Sequence, residues 1–340
     1  MHAQGGTCRR AVRRSPISAA ATMSSSIDFA YDRPDAAQQQ ALAAAICASH
    51  PSWAVLDLAL LDATTLHRRM QRNRWTHYNA YAASSLAAFA EHAVWLVALD
   101  TEPAAHAKQI ATLLNWTAGT PALSFLYGVA EPAQLQALAG YLAKIAVEER
   151  KQPLHCRFAD TRVLPGLLRQ LDAAQRSRVQ QAIEDWGWID RHAAYARWQP
   201  APGAVAADSA AHLRLSAAQF RALRAPSDAD AIFVLLLEQT PSLVPAERRG
   251  QFHARLCAIL ETADSYRVHD PHSRLQFVVL SMTCGEGFHR LHALADTWAG
   301  VQAGEHTLAE HMPLWDSKVW EQLDADPPRH DGSPFGEQTA

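Results

Sequence analysis

The densest set of chemistry-bearing residues lies in the C-terminal third. His253 and Cys257 stand four apart, His269 and His272 three apart, and Cys284, His289 and His292 follow. Thiolate and imidazole are zinc ligands, and spacings of three or four put two of them on one helical face. Pro271 interrupts the second pair, no HExxH occurs, and seventeen histidines in one chain produce such near pairs by chance. The expectation is therefore solvated or core histidines, with zinc, were it bound, structural, because no acidic general base stands in a fixed frame with these residues. Nucleophile signatures are missing as well: there is no GxSxG, and no cysteine sits in a local motif with a base. Cys284-Gly285-Glu286-Gly287-Phe288 reads as a glycine-rich helix stop, with Gly285 or Gly287 left-handed, in preference to a reactive thiol on a turn. Phosphate-cradling GxxxxGK or GxGxxG loops do not occur. The remaining cluster is Arg157-Phe158-Ala159-Asp160-Thr161-Arg162, at a strand's end just before a helix. Strand alternation sends Arg157 to the face opposite Phe158, and Asp160 can cap the next helix or pair with an arginine. We read it as a tie between strand end and helix start in preference to a catalytic carboxylate. No catalytic residue, cofactor or metal is expected.

The elements that must position these residues alternate over residues 50–200. Asp35 caps an Ala-, Gln- and Leu-rich helix through Ser49, ended by His50-Pro51. Strands are predicted at Trp53–Leu61, Thr76–Tyr81, Val94–Leu99, Ala122–Val129, Leu154–Phe158, Trp186–Ile189 and Tyr195–Trp198. Helices are predicted from Asp62 to Arg72, over Ala104–Trp116, from Pro132 with Leu135, Leu138, Leu142 and Ile145 on one stripe, over Leu164–Leu171, and from an Asp172/Gln175 capping box through Ile183. Such alternation means an α/β or α+β lobe with a mixed sheet. Pro200 to His212 is poor in large apolar residues and reads as a linker. Beyond a Ser216/Gln219 capping box the signals are helical: 217–223, 228–239, 246–263, 273–283 and 291–301. The expected organisation is thus 1–35 disordered, 36–199 an α/β (α+β) lobe, 200–212 a linker, 213–323 a smaller all-helical lobe and 324–340 a disordered tail. Before Met23 the Arg9, Arg10, Arg13 and Arg14 run resembles neither a full transit peptide nor a full export signal, and a start at Met23 is the preferred reading.

Hydrophobic residues at 49% and charged residues at 19% match a globular protein. A formal net charge of -3 supplies no global basic field, so nucleic acid is not an expected partner. The five scattered cysteines, with no CxxC pair, do not support a disulfide framework and fit a reducing compartment. No apolar run approaches the roughly 20 residues needed to cross a bilayer. The ten tryptophans include Trp53, Trp95, Trp186 and Trp198 in predicted strands and Trp298, Trp315 and Trp320 in the helical part. Their periodic setting favours the core over a binding surface.

Three segments, in order, carry a resemblance. Trp53-Ala-Val-Leu-Asp57-Leu-Ala-Leu-Leu61 resembles the opening strand of the type VI secretion effector adaptor domain of Tap/Tec-type chaperones, with its aromatic start and central Asp. Ala93-Val-Trp95-Leu-Val-Ala-Leu99 is similar to a later strand of that family. Cys156-Arg157-Phe158-Ala-Asp160-Thr-Arg162-Val-Leu164 is similar to its Arg-Phe…Asp-Pro-Arg signature. The resemblance covers about residues 50 to 190. Leu215 to Phe220 and Cys284 to Phe288 are similar to the variable helical half. Thr161 stands where the family has Pro, and His92 where another Pro is common. The resemblance implies a non-enzymatic cytoplasmic adaptor that binds a cognate effector and loads it onto the VgrG spike, with no membrane partner. It marks Trp53, Asp57, Arg157, Phe158, Asp160 and Arg162 as structural or partner-binding residues. The readings set against it are a zinc-dependent hydrolase using the Cys/His cluster, and an immunity protein that neutralises a toxin.

Overall fold

The computed structural model describes residues 28–88, 93–148, 150–200 and 205–325. The expectations for residues 1–27, His92 and 326–340 fall outside the described residues. The chain divides into two compact units, whose described residues are 28–227 with 247–250, and 228–246 with 251–325.

The first unit is built on a six-stranded sheet in the order β2-β3-β1-β4-β7-β8, antiparallel throughout. Its strands are β1 Trp53–Asp57, β2 His77–Asn79, β3 Val94–Ala98, β4 Leu123–Tyr127, β7 Asp185–Ile189 and β8 Tyr195–Trp198. Central β1 is buried at every residue, as its unbroken apolar run requires of a strand covered on both faces. A second sheet, β6-β5-β9, joins β5 Lys144–Val147 antiparallel to β6 Leu154–His155 and parallel to β9 Leu213–Leu215, so the mixed pairing lies here. Helices α1 Ala36–Ser49, α2 Ala63–Asn73, α3 Pro103–Trp116, α4 Pro132–Leu142, α5 Leu164–Gln170 and α6 Ala173–Gln180 contribute Ile46, Met70, Ile110, Leu113, Leu142 and Val179 to one core with the strands. The Asp35/Gln38 and Asp172/Gln175 pairs form the reciprocal bonds of capping boxes at the starts of α1 and α6. Trp53, Trp95 and Trp186 are buried and Trp198 is half-buried.

Several features depart from the sequence reading. Ile145 continues the stripe of α4 by spacing, yet the chain leaves the helix at Ala143 and Ile145 lies in β5. The strand expected over 154–158 keeps only Leu154 and His155; Cys156 donates its N–H to the Ala143 carbonyl, and the next residues turn. Residues 205–215, expected to be linker and helical-lobe start, are tied to the sheet unit instead. The Tyr141 hydroxyl donates to Asp208 at 2.8 Å, Arg178 donates to the Asp208 carbonyl at 2.7 Å, and β9 pairs with β5. Finally, residues 28–35, expected to be disordered, are packed, with Phe29 and Tyr31 buried.

The α7 helix, Ala217–Gln239, runs unbroken through Pro226 where two helices were expected, and the division between the units falls just after it, at Asp228. Ser216 and Gln219 exchange the two bonds of a capping box at its start. The second unit holds the rest of α7 with α8 Arg249–Ser265, whose first residues belong to the sheet unit, and α9 Pro271–Thr283, α10 Ala295–Ala303, α11 Leu308–His311 and α12 Ser317–Ala325. Asp270 caps α9 by accepting from Ser273 N–H at 2.8 Å, with Pro271 in the first turn. Leu275, Phe277, Val278 and Leu280 of α9 are buried, and Phe277 packs on Phe288 with ring centres 4.9 Å apart. Trp298, Trp315 and Trp320 are buried. Gly285 takes the left-handed position at the end of α9 (φ 92°), while Gly287 does not (φ -91°).

Candidate functional site

Asp57 is the last residue of β1 and is 3% exposed. Its N–H donates to the Ala122 carbonyl at 3.0 Å, and its Oδ1 accepts from Ala59 N–H at 3.1 Å, capping the short 3-10 turn Leu58–Leu60. The other carboxylate oxygen accepts from Arg157 Nη2 at 3.0 Å. Burial raises the Asp57 pKa above the ordinary carboxylate value, with Asp160 adding to the rise, while Arg157 pulls it back.

Asp160, 1% exposed, organises the turn that follows β6. Its carboxylate accepts from Arg162 N–H at 2.9 Å and from the Arg162 guanidinium through Nε at 3.0 Å and Nη2 at 2.6 Å. Such a two-pronged pair fixes direction as well as charge. Arg157 Nη2 is 3.9 Å from Asp160 and so bridges both buried carboxylates. The Asp160 carbonyl accepts from Val163 and Leu164 N–H, which leads the chain into α5. Phe158 points inward at 3% exposure, its ring edge-on to Tyr81 at 6.3 Å and to Trp186 at 6.1 Å. Arg157 points the other way, its side chain 36% exposed. Burial pushes the Cys156 thiol up to about 12 and raises Tyr81 well beyond its ordinary value, so neither is ionised near neutral pH.

Five of the six sequence-marked residues, Asp57, Arg157, Phe158, Asp160 and Arg162, are thus brought together where β1 ends and α5 begins. Trp53 is not. It sits at the opposite end of β1, donating its indole N–H to the Ala130 carbonyl at 3.2 Å and lying 5.9 Å from the Tyr78 ring. There it braces the turn in which Gly128 (φ 108°) precedes Val129, whose side chain is 95% exposed.

Sequence reasoning missed the residues that cover this cluster. Phe29 lies under the Arg162 guanidinium, 5.0 Å from ring centre to carbon. The Tyr31 hydroxyl is 2.9 Å from Thr161 Oγ1. Thr161 itself donates its N–H to the Pro121 carbonyl at 2.9 Å, a bond that a proline there could not make. The one available signal was the pattern Phe29-Ala-Tyr31-Asp32, two aromatics at strand spacing before an acid.

Chemically, the cluster pairs two buried carboxylates with two arginines. It offers no thiolate or hydroxyl poised beside a base. What it can do is lock a strand end to a helix start and present the outer edge of Arg157 to acceptors on another molecule. The Cys/His residues of the second unit do not converge. His253 Nδ1 is 3.7 Å from Cys257 Sγ, His272 bonds Gln276 at 2.9 Å, and His289 is buried among aromatic rings. Among the described residues no three of His, Cys, Asp or Glu are grouped so as to hold a metal ion. No helix among them is long and apolar enough to cross a membrane.

Comparison with known proteins finds no match among curated proteins or solved structures. A domain of unknown function, DUF4123, known in type VI secretion effector adaptors, matches residues 52–178, less than half of the chain but the stretch that contains the whole Asp57–Arg162 cluster.

Proposed function

We propose that the chain is a cytoplasmic type VI secretion adaptor that binds a cognate effector and loads it onto the VgrG spike before export, with no chemistry of its own. The observation that carries this reading is the DUF4123 match over residues 52–178, which spans β1, the Asp57–Arg157 pair and the Asp160–Arg162 turn. The physics of the cluster supports it, since two buried carboxyl groups paired with two guanidinium groups make a rigid, shape-holding element. An adaptor needs such an element more than it needs a poised nucleophile. The residues it places on the surface, Arg157 beside the cluster and Val129 at the other end of β1, are of the guanidinium and aliphatic types that interfaces use.

The test is affinity capture of the tagged full-length chain from its native host, with the bound proteins identified by mass spectrometry. Recovery of a spike protein together with a toxic effector is the expected result. Recovery of a toxin with no spike protein would replace the adaptor by an immunity protein, and recovery of neither would end the reading.

A further inference from the structure

We infer that Asp28–Asp32 is an exchangeable strap, and that the groove beneath it is a docking site for an extended partner segment of the pattern aromatic-x-aromatic-Asp. That this partner is the effector rests on the adaptor reading above; the groove itself does not.

The strap has no helix or strand of its own, yet it is held at every residue. Three guanidinium groups from three distant parts of the sheet unit grip it. Arg162 lies over the Phe29 ring at 5.0 Å and Arg191 over the Tyr31 ring at 5.1 Å. Arg191 also donates to the Ala30 carbonyl at 3.4 Å, and Arg249 to the Phe29 carbonyl at 3.5 Å while standing 3.2 Å from Asp28. Asp32 donates its N–H to the Arg191 carbonyl at 2.9 Å and accepts from Gly250 N–H at 3.2 Å. A groove lined by three arginines and filled by a segment with an acid at each end is complementary in charge.

Two observations separate the strap from the frame it covers. Its rings form a small cluster with Leu60 and Ala122, apart from the main core that contains β1, β3 and β4. Its seat is also incompletely filled. A void of about 20 Å³, enough for one water, is lined by Tyr31, Asp32 and Pro34 on one side and by Leu42, Leu114 and Leu123 among others opposite. Lifting the strap uncovers Leu60, Ala122 and one edge of the core at Leu42, Leu114 and Leu123, and breaks no strand pairing. The contacts it would vacate are ring on guanidinium, main-chain hydrogen bonds, the Asp28–Arg249 ion pair and Asp32 on a backbone N–H. None of these depends on the strap belonging to the same chain, and all suit an extended peptide whose rings are two residues apart. The Tyr31 to Thr161 hydroxyl bond is the latch.

The probe is a labelled peptide of residues 27–34, Ile-Asp-Phe-Ala-Tyr-Asp-Arg-Pro, titrated against the unaltered full-length chain and against full-length Tyr31→Phe. That variant weakens the resident strap and leaves the groove intact. The peptide is expected to bind the unaltered chain weakly and Tyr31→Phe about five- to tenfold more tightly. A peptide with both aromatics replaced by alanine should not bind. Absence of binding to both chains, or equal binding of the alanine peptide, overturns the inference. Hydrogen exchange on the unaltered chain gives a reading that needs no variant: the Asp32 amide should exchange much faster than the Leu56 amide of β1. Exchange of both only through global unfolding would make the strap an integral part of the frame and overturn it. Any effector captured from the host is then challenged with saturating peptide. Release supports the groove as its site, and retention overturns that assignment while leaving the adaptor reading intact. If no effector is captured, the adaptor reading fails, while peptide binding still decides for or against the groove.

Discussion

Two regions of this molecule are rich in residues that could do chemistry, and they treat those residues in opposite ways. At the end of β1, Asp57 and Asp160 are almost wholly buried and each meets an arginine, Asp57 finding Arg157 one hundred positions along the chain. In the helical unit the histidines and cysteines stand at inviting helical spacings, yet their contacts are looser and do not gather at one point: His253 stands 3.7 Å from Cys257 and 3.6 Å from Asp230, His272 bonds Gln276, and His289 lies in a box of Tyr266, Phe277, Phe288 and Trp298. Spacing along one helix lines residues up on a face without closing them round a point. The first region closes buried carboxylates and guanidinium groups from distant elements round one point, whereas the described His and Cys residues of the second form no such group of three.

The sharpest way to break this contrast is Asp160→Ala. It leaves Arg162 without its carboxylate and removes the turn's organising acceptor, so a loss of about 3 to 5 kcal/mol in urea denaturation is expected. A variant that melts like the parent but no longer captures a partner would turn the cluster from a structural tie into an interface. Next in size, Asp57→Asn keeps the shape and the cap but loses the charge opposite Arg157. About 2 kcal/mol is expected, moderated because the Arg157 side chain is a third exposed.

The pH dependence sharpens the contrast from the other side. Burial, followed by the neighbouring Arg290, pushes His289 below its ordinary value of 6.5, and burial, followed by His306 stacked 4.2 Å away, does the same to His311. A depressed native pKa means that the unfolded chain binds more protons in the window just below 6.5. The stability of the helical unit should therefore fall as the pH is lowered from 7 through 6.5 toward those depressed values. His155 of the sheet unit is shifted the same way, so the measurement is made on His289→Phe, whose melting should depend less steeply on pH than the parent's. The smallest effect belongs to metal. Treatment of the purified chain with a chelator should leave its melting temperature unchanged, and stoichiometric zinc in that preparation would revive the hydrolase alternative.

Much of the fold was legible because its signals are local. Asp35 as a cap and the Asp172/Gln175 and Ser216/Gln219 pairs three residues apart announce helix starts, and β8 is readable at its full extent as Tyr195–Trp198. What escaped is short or distant. β9 is three residues long, too few for a period of two to declare itself, and its partner β5 lies far back in the chain, behind Ile145's misleading continuation of the α4 stripe. Within the site, the Asp160 and Arg162 pairing lay inside one hexapeptide and could be anticipated, whereas Asp57 with Arg157, and Phe29 and Tyr31 over Arg162 and Thr161, are products of the tertiary fold. The break expected between residues 223 and 228 is missing for a different reason, although Pro226 lies within it. A proline removes one bond and disfavours the helix without forbidding it, and α7 continues across it.

The bond between Gly250 N–H and Asp32 joins residues 218 positions apart, and this sets a delay during synthesis. A chain leaves the ribosome N-terminus first at about 5 to 20 residues per second, so roughly 10 to 40 s pass between the emergence of Asp32 and that of its last anchor. Sheet pairing of β1 with β3 and β4 needs nothing beyond residue 126 and can be complete long before. The groove is completed in the same order, Arg162 and Arg191 emerging before Arg249, so the aromatic rings can find their first partners while the acids at the two ends of the strap still wait for Arg249 and Gly250.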